Sequence, residues 1–264
     1  MGRWLGGIAV AVLAVAALGV SGGRVRAAVG SAESAGGAPV VLELFTSQGC
    51  SSCPPADRLL SRLGSDPRWR GRLVPLAYHV DYWNSLGWAD PFSSPEWSRR
   101  QQEYAEAGGA RRVYTPQMVV DGDEECVGSE EDEVVSRIER ARARPAGKVG
   151  LALRHDGETW RVDLDLLPPS TANRPLAVML AVYESGLQTE VGRGENAGRR
   201  AADDYVVRRL IRVAELPPGG ERHAVVELAI DPLWRLDRLG VAAFLQDPQS
   251  RVIAGAAAAG LPAR

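Results

Sequence analysis

One tetrapeptide, Cys50-Ser51-Ser52-Cys53, constrains this chain more than any other feature, because of what stands on either side of it. Before it runs Val40-Val41-Leu42-Glu43-Leu44-Phe45, an apolar, β-rich stretch that reads as a buried strand. After it runs Ala56-Asp57-Arg58-Leu59-Leu60-Ser61-Arg62-Leu63, in which Leu59, Leu60 and Leu63 share one helical face. A Cys-x-x-Cys pair between a strand and a helix is a redox arrangement. Unpaired N–H groups at a helix start favour a thiolate, and two intervening residues let the second sulfur reach the first. A structural disulfide or half of a zinc site are the alternatives. Pro54-Pro55 directly after Cys53 oppose a helix beginning at Cys50 and place its start near Pro54, with Ser52 or Cys53 as cap.

The 264 residues allow one large domain or two of ordinary size. With 45% hydrophobic and 24% charged residues the composition is globular, and a net charge of −2 with no basic, aromatic-interleaved patch argues against nucleic acid. Arg3 followed by the apolar run Leu5 to Val20, then Val25-Arg26-Ala27 with small residues at −3 and −1, reads as a signal peptide over 1–27. The run is shorter than the ~20 residues of a spanning helix, so cleavage is expected and an uncleaved anchor is the alternative. Cleavage removes three arginines and no acid, leaving about −5. The expected mature protein is exported, periplasmic or secreted, and not membrane-bound. In an oxidising compartment three cysteines leave one over. Cys50 and Cys53 pair locally, and Cys126 reads as a buried free thiol, with an intermolecular or resolving role as alternatives.

Residues 28–38 read as a flexible lead-in. Segment 39–145 alternates strands and helices. Its second strand, Leu73 to Val80, contains Pro75, which suits an edge or a bulge. Ser94-Pro95 starts a helix that stops at Gly108-Gly109, Val113 to Val120 is a strand, Asp121-Gly122 begins a hairpin, and Ser129-x-x-Asp132 opens a helix to about Ala143. This β–α–β–α–β–β–α order matches a thioredoxin-like sheet. Pro145-Ala146-Gly147 marks a boundary. From 148 to 260 only strand-like runs follow, at 149–154, 160–166, 176–184, 205–214, 223–230, 239–246 and 251–257, joined in part by turns at His155–Glu158 and Asp247–Ser250. Seven such segments predict a β-sandwich-like domain. The fold class expected is thus an α/β thioredoxin-like domain followed by an all-β sandwich-like one.

Thr115-Pro116, just before an apolar strand, predicts a cis-proline whose preceding backbone can pair with an extended substrate. The segment between the second strand and the Ser94 helix is dense in aromatics: Tyr82, Trp83, Trp88, Phe92 and then Trp97. They either pack an ordered insertion onto the domain or line an apolar groove beside the cysteines, with Trp83, Trp88 and Thr115 as substrate contacts. His79 and Asp81 share a strand face and read as a structural pair, with proton shuttling as the alternative. Gly192-Arg193-Gly194-Glu195-Asn196-Ala197 matches a dinucleotide fingerprint formally but lacks the βαβ context, so it reads as a loop. Three scattered histidines (His79, His155, His223) make a closed zinc site improbable, while copper on both cysteines and a histidine remains open.

Leu42 to Asp57, His79-Val80-Asp81-Tyr82-Trp83, Leu86-Gly87-Trp88, Asp90-Pro91-Phe92, Tyr114 to Val120 and Gly122 together resemble domain-of-unknown-function family 1223, exported bacterial thioredoxin-like proteins. With weaker similarity downstream, the likeness covers most of 40–260. It implies a fold and a compartment but no substrate, and Cys126 departs from the pattern. Chemistry therefore carries the functional expectation: an exported thiol–disulfide oxidoreductase without cofactor or metal, acting on protein or peptide thiols and disulfides. Cys50 is its nucleophile, Cys53 resolves, and Pro116 positions the partner. The alternatives are a non-enzymatic binding protein braced by a structural disulfide, and a copper-handling protein.

Overall fold

The computed structural model describes residues 38–156 and 159–261. The expected signal peptide, nearly all of the lead-in, and residues 157–158 of the expected His155–Glu158 turn lie outside them. The protein is mixed α/β, with one large sheet and few helices. The first half runs β1 (Val40–Thr46), α1 (Pro54–Ser65), β2 (Leu73–His79), α2 (Pro95–Ala107), β3 (Gln117–Val120), β4 (Glu124–Val127) and α3 (Glu131–Arg142). The second runs β5 (Lys148–Asp156), β6 (Thr159–Leu167), β7 (Leu176–Glu184), β8 (Leu187–Glu190), β9 (Arg200–Asp203), β10 (Val206–Leu216), β11 (Arg222–Leu228), β12 (Leu239–Gln246) and β13 (Ile253–Gly260).

Eight strands from both halves form one sheet in the order β13-β12-β7-β10-β2-β1-β3-β4. β1 is buried along its whole length because both of its faces are covered, and Glu43 is its one charged residue. Val40, Leu42 and Leu44 meet the apolar faces of α1 (Ala56, Leu59, Leu60, Leu63) and α3 (Val134, Ile138, Ala141). Val41 and Phe45 face α2 through Trp97 and Tyr104, in a cluster that also takes in Ala181, Val207, Ala242 and Phe244 from the second half. Over the far end of the sheet, the three-stranded sheet β11-β6-β5 packs across a third cluster containing Leu151, Val162, Leu164, Val178, Leu180 and Val241. Pro145-Ala146-Gly147 lies between α3 and β5, yet the core around Phe45 and Phe244 is shared across it.

Two local expectations need correction. β2 is neither an edge nor bulged at Pro75: it lies between β1 and β10, and Pro75 is in register with Leu42. The missing N–H is harmless because β10 meets β2 only at Val206 and Ala77. Ala77 N–H donates to Tyr205 O at 2.8 Å, so the N–H at position 75 would point toward the same flank, where no strand pairs with it. Glu130, not Ser129, precedes the first turn of α3, without a side-chain cap. The second half also has a further hairpin, β8–β9, that the sequence did not mark, and the segment 192–197 read as a loop joins its two strands.

Other starts and stops follow the sequence. Ser94 Oγ accepts from Glu96 N–H at 3.2 Å and opens α2 ahead of Pro95. Asp121 and Gly122, at φ 46° and 69°, make the β3–β4 turn in the left-handed region. Cys126 on β4 is a free thiol packed in the α1–α3 core. Burial, more than the nearby acids, pushes that thiol up to about 11.

Candidate functional site

β1 delivers the chain into the turn Ser47–Ser52, which is held by its own backbone: Cys50 N–H donates to Ser47 O at 3.1 Å and Cys53 N–H to Cys50 O at 3.3 Å. Gly49 N–H is taken by Ser47 Oγ at 3.1 Å. α1 then starts at Pro54 with Cys53 in the cap position, the solution the two prolines demand. Cys50 and Cys53 form a disulfide, with Cα atoms 5.4 Å apart. Both cysteines are 0% exposed, whereas Ser51 and Ser52 between them are exposed. A Cys50 more open to solvent than Cys53, as a first cysteine in such a pair should be, is not found in this oxidised form.

The Thr115–Pro116 bond is cis. Register places Gln117 opposite Phe45, so Pro116 comes beside the end of β1, where the turn that carries the disulfide begins. Pro116 O accepts from Gly128 N–H at 2.9 Å, and a side chain on Gly128 would touch both Ala56 and Pro116. Gly128 thus fills the narrow space between the proline and the first turn of α1. The two tryptophans expected near the cysteines join this frame through their indole nitrogens. Trp83 Nε1 donates to Thr115 Oγ1 at 2.8 Å, and Trp88 Nε1 to Gln48 Oε1 at 3.2 Å. Both rings are half-buried, so the aromatic insertion is packed onto the domain while keeping some surface beside the turn.

Beneath the turn lies a cluster of ionisable groups that sequence reasoning only touched. His79 does not pair with Asp81, which instead accepts from Ser98 Oγ at 2.5 Å. The insertion folds back so that Asp90 Oδ2 meets His79 Nδ1 at 2.7 Å. Asp90 also accepts from Gln48 N–H at 2.7 Å and from Phe92 N–H at 2.9 Å. Burial alone would lower the His79 pKa, but the Asp90 carboxylate overrides it and lifts the imidazole to about 9. Asp57, in the first turn of α1, accepts from Thr46 Oγ1 at 2.6 Å. Burial, then the charge of Asp203, raises its carboxyl to about 7. Burial also raises Asp203, which accepts from Gln48 Nε2 at 2.7 Å.

The β8–β9 hairpin closes the other side. Asn196 Nδ2 donates to Gln48 O at 2.9 Å and to Cys50 O at 2.8 Å, while Ser51 N–H donates to Glu195 Oε2 at 3.2 Å. Gln48, Asp57, Asp90, Glu195, Asn196 and Asp203 therefore surround the turn, although none was singled out for a role in the sequence. The available signal was slight: Asp90 stands in an aromatic-rich block, and Asn196 in the glycine-rich segment set aside as a turn. Among the described residues no group of three or more His, Cys, Asp and Glu side chains is placed to hold a metal ion.

With this geometry in hand, a family described as "Protein of unknown function (DUF1223)" matches residues 41–246. No curated protein matches the chain. Among solved structures, a protein from Agrobacterium tumefaciens is similar at 28% identity and a TM-score of 0.68, over 88% of this chain and 98% of its own. HBP35 of Porphyromonas gingivalis shares the fold at 16% identity and a TM-score of 0.65, over 87% of this chain and 77% of its own.

Proposed function

The chain belongs to the DUF1223 family, and from the chemistry of its turn we propose that it is an exported, thioredoxin-like thiol–disulfide oxidoreductase acting on protein or peptide thiols. One observation carries this reading: a closed Cys50–Cys53 pair at a strand–helix junction stands beside a cis-proline and above the buried Asp57 carboxyl, raised to about 7. A partner thiolate attacks Cys50 Sγ, the Cys50–Cys53 bond breaks, and its electron pair leaves on Cys53 Sγ. The partner's second thiolate then attacks its own sulfur in the mixed disulfide and releases Cys50. The partner dithiol is oxidised to a disulfide, the cysteine pair is reduced, and both sulfurs take up protons. Oxidation of the pair by a partner disulfide runs the same steps backwards.

Asp57 is the group suited to the proton at Cys53, because it sits one helical turn beyond that residue with a carboxyl at about 7. The edge at Thr115-Pro116, with Trp83 and Trp88, offers an extended polypeptide a backbone to pair with and aromatic surface to rest on. The N-terminal apolar run supports export, and an oxidising compartment suits the chemistry.

Burial of both cysteines favours a second reading, in which the disulfide only braces the turn of a binding protein. An equilibrium titration against glutathione separates the two. A potential above about −300 mV is expected for an exchanging pair, and one below it for a brace. Covalent trapping of protein partners by Cys53→Ser, absent in Cys50→Ser, is the matching expectation; equal trapping by both variants would remove Cys50 as the nucleophile.

A further inference from the structure

Resting on the dithiol-exchange reading, we propose that the loop 191–199 is a gate over the redox turn, latched by Asn196, which sets how fast thiols reach Cys50. Within this loop only Val191 and Asn196 are buried, and the other seven residues are exposed. The loop closes on itself at its base, where Val191 N–H donates to Arg199 O at 2.9 Å and Gly198 N–H to Val191 O at 2.8 Å. Its attachment to residues 48–51 is made by two side chains, Asn196 through two hydrogen bonds and the exposed Glu195 through one. Because both of its acceptors are carbonyl oxygens, the Asn196 amide can face them only through Nδ2. The segment bound to the turn thus comes from a point nearly 150 residues away in sequence, held by one buried amide and one exposed carboxylate.

The latch holds by two hydrogen bonds yet can release, because Asn196 Oδ1 is buried with no hydrogen-bond partner. Lifting the loop hydrates that oxygen and frees the carbonyls of Gln48 and Cys50. Gly194, at φ 75°, lets the backbone pass close to Gly87 and Trp88, so the loop rests on the aromatic insertion with no large side chain of its own to anchor it. A cover that is equally displaced for reduction and for oxidation changes both rates and leaves the equilibrium alone. This behaviour distinguishes a gate from a residue that merely shapes the turn, which would move the potential.

The test uses the mature wild-type chain with Asn196→Ala and Asn196→Asp, the second keeping the volume while replacing the donor with a carboxylate that the two carbonyls repel. Stopped alkylation measures reduction of Cys50–Cys53 by dithiothreitol and by a cysteine-pair peptide, and reoxidation by oxidised glutathione. Both variants should accelerate reduction and reoxidation together, by about tenfold, with the equilibrium constant against glutathione unchanged. Should Asn196→Ala fail to fold by circular dichroism, Glu195→Ala on the exposed side carries the test, with about a threefold rise expected. Wild-type exchange that none of the variants speeds up overturns the gate alone, as does a shift confined to the equilibrium constant. No exchange in any protein overturns the redox reading and the gate with it.

Discussion

Asp121 occupies the left-handed region at φ 46° and ties three parts of the molecule together. Its N–H donates to Val41 O at 2.9 Å, its carbonyl accepts from Ile253 N–H at 2.7 Å, and its Oδ1 accepts from Val41 N–H at 2.7 Å. Burial raises the carboxyl to about 7, against the lowering effect of the Val41 N–H. The folded chain therefore holds a proton that the unfolded chain releases between about pH 4 and 7, so stability falls as pH rises through that window. An asparagine in place of the acid keeps the acceptor, tolerates the backbone angle and carries no charge. Asp121→Asn should match wild type near pH 4 and exceed it by roughly 4 kcal/mol at pH 8, read by urea unfolding at both values. An equal gain at the two pH values would show that the charge is not the cause. At this scale the Cys50–Cys53 disulfide and the cis bond before Pro116 were legible, because each stands in a sequence context that predicts it. Asp90 and Asn196 were not, since a carboxylate or amide gains its role only from the partner it meets.

Elements were legible where burial imposes a period. β6, with Trp160, Val162, Leu164 and Leu166 inward, alternates in sequence as it does in space, and α1 shows its stripe of Ala56, Leu59, Leu60 and Leu63. β8 and β9 left little trace: they are four residues each, half-exposed, and form a separate two-stranded sheet, so no apolar pattern marks them. The β4–α3 layer gives the prediction at this scale. Cys126 pairs across from Met118 and packs with Val134 and Ile138, where its sulfur behaves as a small hydrophobe. Cys126→Ser places a hydroxyl there and should cost about 1–3 kcal/mol. The rate of Cys50–Cys53 exchange should stay at the wild-type value, because Cys126 takes no part in the disulfide. A large loss of exchange with intact stability would make Cys126 a participant.

Across the whole molecule, one buried ionic group joins the two halves. Glu43 on β1 is fully buried, and Arg100 on α2 donates to it through Nε at 2.9 Å and forms an ion pair with it, Nη2 lying 2.8 Å away. Arg100 also reaches Tyr104 Oη at 2.7 Å and Gln246 Oε1, on β12, at 3.2 Å. Arg100→Ala leaves Glu43 uncompensated in the shared core and should cost ~3–5 kcal/mol, lowering the melting transition of both halves together. Separate transitions, with only one displaced, would mean that the halves fold independently. Local sequence determined what depends on neighbours along the chain: the strand–turn–helix with its cysteine pair, the caps and turns, and the change of period near residue 147. The tertiary structure alone decided that β2 and β10 join two runs of strands into one sheet, that Asp90 takes His79 from Asp81, and that Asn196 binds the backbone of the cysteine turn. The physical reason is that hydrophobic periodicity reports how much of an element is buried, and backbone propensity reports its shape, but neither records which distant side chain supplies the cover or the partner.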